Sequence, residues 1–151
     1  MNAEIISVGT ELLLGEIVNT DARFIASELS ELGINVFYQT VVGDNAQRLE
    51  SVLKLAFSRS DLIIATGGLG PTQDDITKEV ISEFCGRKLI LDEESLSSMK
   101  EYLRKKGREI PECNIKQAML PEGCVILPNS CGTAPGCVIE DNGKSIIMLP
   151  G

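Results

Sequence analysis

The segment that most constrains this chain runs from Leu62 to Phe84. Leu62-Ile-Ile-Ala65 is a short apolar run, Gly67-Gly-Leu-Gly70 follows it, and Ile76, Val80, Ile81 and Phe84 then recur at helical spacing. The segment therefore predicts a strand, a glycine loop and a helix. Glycines at 67, 68 and 70 let the backbone turn sharply and approach a ligand without Cβ interference. A helix that begins after such a loop points unpaired N–H groups at the space beyond it, which suits phosphate. Asp74 and Asp75 are read as first-turn carboxylates. They stabilise a helix start, yet they repel a bound phosphate unless a divalent cation lies between. Loop and acid pair together predict a phosphate site that works with a metal.

The rest of the chain extends this pattern. Ile5-Ile-Ser-Val8 predicts a first strand that enters the glycine-bounded loop Gly9-Thr-Glu-Leu-Leu-Leu-Gly15. Asn19-Thr-Asp21 supplies cap residues for a helix with Ile25, Leu29 and Leu32 facing inward, closed by Gly33. Ile34 to Val42 returns as a strand, punctuated by Gly43-Asp44-Asn45. Leu49, Val52, Leu53, Ala56 and Phe57 form the clearest helical stripe in the sequence. Short β segments alternating with amphipathic helices predict a parallel sheet covered on both faces. The loops at Gly9–Gly15, Gly43–Asn45 and Gly67–Asp75 all follow strands, so they converge at the carboxyl edge, where such sheets bind ligands.

Beyond Phe84 the character changes. Asp92 to Lys106 reads as a charged helix with Leu96, Met99 and Leu103 as its apolar face, and Arg108-Glu-Ile-Pro111 through Ala118 reads as an irregular or short helical connection. From Pro121 onward strands and turns are expected at Cys124–Leu127, Cys137–Glu140 and Ser145–Leu149. Asn142-Gly143 marks a tight hairpin between the last two. The chain reaches Leu149-Pro-Gly151 directly after a strand, so a continuation past Gly151 is expected.

Composition narrows the chemistry. A length of 151 residues suits a single domain with a proper core. A net charge of −8 without a basic stripe argues against nucleic acid as partner. No long apolar run or basic-then-apolar leader is present, so no membrane association is expected, and the cytoplasm is the expected location. Five cysteines without a C-x-x-C pair fit free thiols in a reducing compartment. The absence of histidine excludes Ser-His-Asp, Cys-His and histidine general-base chemistry within these residues. A catalyst here must use carboxylates, lysine, hydroxyls, backbone N–H groups or a metal.

Four motifs in order, Gly9-Thr-Glu-Leu-Leu-Leu-Gly15, Gly67-Gly-Leu-Gly-Pro-Thr-Gln-Asp-Asp75, Asn129-Ser-Cys-Gly-Thr-Ala-Pro-Gly136 and Leu149-Pro-Gly151, resemble the CinA family (competence/damage-inducible protein A). In particular they resemble its N-terminal domain of molybdopterin-binding fold, and the similarity covers the whole chain. The resemblance implies a three-layer α/β/α sandwich with a mainly parallel sheet. It also implies metal-dependent hydrolysis of ADP-ribose to AMP and ribose 5-phosphate, with Mg²⁺ or Co²⁺ as the ion and a homo-oligomeric state. In many members a separate C-terminal domain deamidates nicotinamide mononucleotide, which links the family to pyridine-nucleotide recycling. Leu-Pro-Gly in the family continues into further prolines and a helix.

On that basis Asp75 is the first candidate for a catalytic metal ligand, with Asp44 as a second acidic position of the fold family and Glu11 as a third carboxylate near the ion. Asp74 is read as the helix cap. Gly67, Gly68 and Gly70 are expected to give backbone N–H groups to the pyrophosphate. Thr72 either donates its hydroxyl to phosphate or caps the helix, and Thr10 and Thr133 are candidate ligand contacts. Leu12-Leu-Leu14 is expected to pack beneath the site or in a subunit contact. Cys131 is not read as a nucleophile, because no histidine is available to activate it. Lys116-Gln117 either faces substrate phosphate or is solvated. The rival readings are a molybdopterin-binding or adenylating domain of cofactor synthesis, and a non-catalytic nucleotide-binding or oligomerisation module.

Overall fold

The computed structural model describes residues 1–109 and 111–151. Strands β1 (Asn2–Val8), β2 (Asn35–Val42) and β3 (Leu62–Thr66) alternate with helices α1 (Thr10–Leu13), α2 (Thr20–Glu31) and α3 (Ala46–Arg59). Helix α4 (Thr77–Phe84), strand β4 (Leu89–Leu91) and helix α5 (Glu93–Lys105) follow. After a 3-10 helix (Glu112–Ala118) come β5 (Met119–Pro121), β6 (Val125–Leu127), β7 (Gly136–Asp141) and β8 (Lys144–Leu149).

The main sheet runs β2-β1-β3-β8-β7-β6. Its first four strands are mutually parallel, while β7 is antiparallel to both β8 and β6. Strand alternation sends two sets of side chains to opposite faces. Ile6, Val8, Ile63, Ala65, Ile146 and Met148 pack with Leu49, Leu53 and Ala56 of α3 and Ile81 of α4. Ala3, Ile5, Leu62 and Ile64 pack on the other side with Ala22 and Leu29 of α2. The result is helix, sheet and helix in three layers, as the alternation of segments predicts. Leu96, Met99 and Leu103 of α5 make a separate small cluster with Ala118.

Local signals account for the element ends. Asn19, Asn45 and Asp92 cap α2, α3 and α5 by accepting from the amides of Ala22, Arg48 and Ser95. Asn142 (φ 48°) and Gly143 (φ 76°) close the β7–β8 hairpin with the two left-handed residues that a tight primed turn demands.

Three expectations need correction, and one pair of strands goes unread. Leu32 does not face inward; it ends α2 and is exposed. Residues 10–13 form one turn of helix rather than open loop, and Leu13 and Leu14 lie exposed on it rather than beneath the site. Leu89–Leu91, unread in the sequence, pairs antiparallel with Met119–Pro121 as a separate two-stranded sheet. Helix α4 starts at Thr77 after an Ile76 cap, so Asp74 and Asp75 precede its first turn and neither caps it. Of the connection read across Arg108–Pro111, Ile110 lies outside the described residues.

Two charged side chains are built into the interior. Glu4, in the middle of β1, has no exposed surface. Arg59 at the end of α3 grips it with Nε at 2.9 Å and a second nitrogen at 2.8 Å, and Thr40 adds a hydroxyl at 3.1 Å. The guanidinium also stacks on Tyr38, 3.5 Å from the ring centroid. Lys78 on α4 is equally buried, and its ammonium donates to the carbonyls of Lys116 and Gln117, each at 2.9 Å. Burial pulls the Lys78 ammonium down to about 8, and the nearby Glu79 carboxylate opposes that fall only in part. A neutral amine has two N–H donors, which matches the two carbonyls.

These two groups give opposite tests. Removing Arg59 strands a carboxylate that cannot reach water, whereas removing Glu4 leaves a guanidinium at the surface. Arg59→Met is therefore expected to lower the urea midpoint of unfolding clearly more than Glu4→Leu. Lys78 sheds its proton in the fold near pH 8, while the unfolded chain holds that proton to the ordinary lysine range near 10.5. The unfolded state thus binds more protons, and stability rises with pH from about 8 upward. Above about 9 the thiols of partly buried Cys85 and buried Cys137, pushed up by desolvation to about 11 and about 12, act in the other direction. Urea midpoints measured from pH 7 to 9 should rise in the wild type and lose that rise in Lys78→Met.

Candidate phosphate-binding site

The carboxyl ends of β1, β2, β3 and β8 lie at one edge of the sheet, because these strands are parallel. Strand β7 runs the other way, so the loop that feeds it, Asn129–Pro135, arrives at the same edge. Together these ends enclose an open cavity of about 680 Å³.

Its floor is the glycine loop. Gly67 (φ 91°) and Gly68 (φ 67°) adopt consecutive left-handed conformations. A Cβ at Gly67 would collide with the carbonyl of Val8, and one at Gly68 with the Thr77 side chain. The Thr77 amide donates to the Gly68 carbonyl at 3.2 Å and its hydroxyl to the Gly67 carbonyl at 2.8 Å. The first donor of α4 is therefore taken up by the loop itself. The loop amides left for an anion are those of Gly68 and Leu69; contrary to expectation, the Gly67 amide donates to the Leu149 carbonyl at 3.1 Å and the Gly70 amide turns to Asp75.

Each of two aspartates is held by a threonine in the same way. Thr72 donates to Asp75 Oδ2 through its amide at 2.9 Å and its hydroxyl at 2.5 Å. Thr10 donates to Asp44 Oδ2 through its amide at 3.0 Å and its hydroxyl at 2.7 Å. Among the described residues, no side chain partners either Oδ1 atom. Partial burial pushes the Asp75 carboxyl upward, but the Thr72 hydroxyl and amide, the Gly70 amide and the Lys116 charge outweigh it. Asp75 ends below its ordinary value and is ionised at neutral pH. Gly70 has to be glycine for the same contact, since its Cβ would sit 2.5 Å from Asp75 Oδ2.

The remaining candidates divide clearly. Glu11, Asp44, Gly67, Gly68, Gly70, Thr72, Asp74, Asp75 and Thr133 all line the cavity. Glu11 does so with its carboxylate folded back against Gly9. Thr10 does not line the cavity; its hydroxyl is occupied by Asp44. Thr72 neither caps α4 nor has a free hydroxyl, being committed to Asp75. Lys116 is only partly exposed and does not line the cavity. Its ammonium binds the carbonyls of Thr72 (2.8 Å) and Asp75 and pairs with Glu79 at 3.3 Å. Gln117 does line the cavity, buried, with its side-chain oxygen unpartnered.

The two lysines thus form a clamp outside the cavity. Lys116 holds the turn that carries Asp75, and Lys78 holds the backbone that carries Lys116 and Gln117. A sequence gives little sign of this, because a lysine on an amphipathic helix ordinarily reads as a solvent-facing residue.

The cavity wall contains four carboxylates (Glu11, Asp44, Asp74 and Asp75) and no lysine or arginine among the described residues. No three His, Cys, Asp or Glu side chains among the described residues are grouped so as to hold a metal ion by themselves. This donor set fits a small hard cation such as Mg²⁺, which takes one or two carboxylates and completes its shell with water and phosphate oxygens. It does not fit an all-protein cage.

Known proteins place the chain. The family model described as "Probable molybdopterin binding domain" matches residues 4–151. A CinA-like protein of Dictyoglomus turgidum is 56% identical over 151 residues, covering 100% of this chain and 37% of the relative. A competence-damage inducible protein of Acetivibrio thermocellus is likewise 56% identical, with the same coverage. The chain therefore spans little more than a third of the length of these curated relatives. Among solved structures, CinA from Thermoplasma acidophilum superposes with a TM-score of 0.89 at 38% identity, over 99% of this chain and 88% of that one. The molybdopterin biosynthesis enzyme MoaB from Thermus thermophilus shares the fold at a TM-score of 0.64 and 22% identity, over 99% and 80% of the two chains. Glycine loop, aspartate pair, whole-length similarity and superposition agree: the chain belongs to the CinA family, as a domain of molybdopterin-binding fold.

Proposed function

We propose that the cavity binds the diphosphate of a nucleotide of the ADP-ribose class together with a divalent cation, Mg²⁺ or Co²⁺, and hydrolyses the phosphoanhydride to AMP and ribose 5-phosphate. The observation that carries this reading is a glycine loop surrounded by four carboxylates with no basic residue in the wall among the described residues. Loop amides favour an anion, and the carboxylates oppose a bare one, so phosphate and cation enter together.

In this reading Asp44 and Asp75 would hold the cation, with Glu11 nearby, and the chemistry it would supply is charge neutralisation at the phosphate oxygens. Thr10 and Thr72 fix the two carboxylates through Oδ2 and so aim Oδ1 at the ligand. Gly68 and Leu69 donate backbone N–H groups to charge that grows on the departing phosphate. Lys116 keeps the Asp75 turn in place. Water oxygen bonds to one phosphorus and releases its protons to solvent, the bridging P–O bond breaks, and the bridging oxygen leaves on the other phosphate. A nicotinamide mononucleotide deamidase domain elsewhere in the full-length protein and a homo-oligomeric assembly belong to the same proposal.

Fold-level likeness to MoaB supports a second reading, molybdopterin binding or adenylation, and rests on topology alone. One assay separates the readings. Purified chain is incubated with ADP-ribose, metal-free and then with Mg²⁺ or Co²⁺, and AMP is quantified. Metal-dependent AMP release is expected, and Asp75→Asn should reduce it by about 100-fold or more, the scale of losing one preorganised electrostatic group, while the chain still folds and unfolds cooperatively. AMP release that is independent of metal, or unaltered in Asp75→Asn, overturns the assignment.

A further inference from the structure

We propose that the substrate site is bipartite, and that a second, unassigned cavity beneath α5 takes the nucleoside half of the nucleotide. This inference rests on the reading that the first cavity takes the metal-bound phosphates. The second cavity has a volume of about 350 Å³, within the range of small-molecule sites. It shares Asn129, Gly132 and Thr133 with the first. One strip of backbone therefore forms the partition, and a ligand that crosses it occupies both.

The partition is fixed before any ligand arrives. Asn129 donates to the Ala134 carbonyl at 2.9 Å and accepts from the Cys131 amide at 2.9 Å, which closes the loop on itself. Tyr102 of α5 donates to the Cys131 carbonyl at 3.0 Å, which ties the loop to the helix that roofs the second cavity.

The lining identifies the ligand class. Met99, Ile126, Pro128 and Pro135 supply an apolar surface suited to a flat ring. Ser95, Ser98, Asp92 and Glu94 supply hydroxyls and carboxylates along one side, and no basic residue lines the cavity among the described residues. Asp92 spends Oδ2 on the Ser95 amide at 2.7 Å, and its carboxylate has no other hydrogen-bond partner among the described residues. Carboxylates accept from ribose hydroxyls, as acidic residues do in dinucleotide folds. They repel a bare phosphate, and among the described residues this lining lacks the consecutive left-handed glycines of the first cavity. A sugar and base fit this space, and a phosphate does not. The diphosphate then lies on the glycine loop, with Thr133 at the join.

The test reads binding rather than turnover, so it is independent of whether ADP-ribose is hydrolysed. Backbone amide resonances of the ¹⁵N-labelled chain are followed while adenosine is added, and separately while Mg²⁺–pyrophosphate is added. Adenosine should move Ser95, Ser98 and Ser130 and leave Gly67–Gly70 in place; Mg²⁺–pyrophosphate should do the reverse. Ser98→Trp, a substitution at an exposed helix position that fills the cavity, should weaken adenosine binding at least tenfold and change pyrophosphate binding less than twofold. Adenosine shifts confined to Gly67–Gly70, no shift at millimolar adenosine, or unaltered adenosine affinity in Ser98→Trp overturns the second cavity as the nucleoside site. Failure of the hydrolysis assay alongside the expected adenosine shifts overturns the catalytic reading and leaves this assignment standing.

Discussion

The site depends on one close contact, the Gly67–Gly68 turn pressed against the Val8 carbonyl and the Thr77 side chain. That contact fixes where β3 hands over to α4 and how near the loop lies to the end of β1. Any side chain at either position would push the loop outward, away from the end of β1 and from Thr77. Asp44 and Asp75 come from different crossovers, yet both are oriented by a threonine through the same pair of donors. The loop sets the distance across the cavity, and the threonines set the direction of each carboxylate. Neither device requires a ligand to be present, which is the condition for preorganised electrostatics.

The frame of the molecule was legible because it rests on periodicity. Leu49, Leu53 and Ala56 announce α3 by spacing alone, and Asn142-Gly143 announces its hairpin by backbone chemistry alone. The position of the cavity was legible too, since three loops that each follow a parallel strand can only meet at one edge. Thr72 and Asp75 sit three residues apart and make a local turn, but Asp74 and Asp75 read equally well as the start of the helix. Only the placement of Ile76 and Thr77 by the glycine loop decides between the two.

What stayed hidden depends on partners far away in sequence. Glu4 and Lys78 are charged residues in amphipathic surroundings, and nothing near them says that they are buried. Glu4 is tolerated because Arg59 arrives from the end of α3, and Lys78 because two carbonyls of the 3-10 helix turn toward it. Lys116 and Gln117 are adjacent in the chain but end in different roles, one spent on the Asp75 turn and one in the cavity wall. The pairing of Thr10 with Asp44 likewise joins the ends of two strands. Leu89–Leu91 escaped notice because a three-residue strand has no period to read; its partner, Met119–Pro121, lies beyond an entire helix.

The strand order also governs how the chain reaches this structure. Strand β8, the last of the eight, lies inside the sheet between β3 and β7. Until it is in place, β3 presents an open edge, and β6 and β7 have nothing to join. Its parallel register with Leu62–Thr66 closes a loop of more than half the chain, the kind of distant pairing that slows folding. During synthesis, β1 to β3 and their helices can form only a half-sheet whose apolar face is unfinished, a species prone to associate with others of its kind. Cooperative closure therefore waits for residues 144–149, and the glycine loop reaches its working position only after they dock, because the Gly67 amide is held by the Leu149 carbonyl at 3.1 Å.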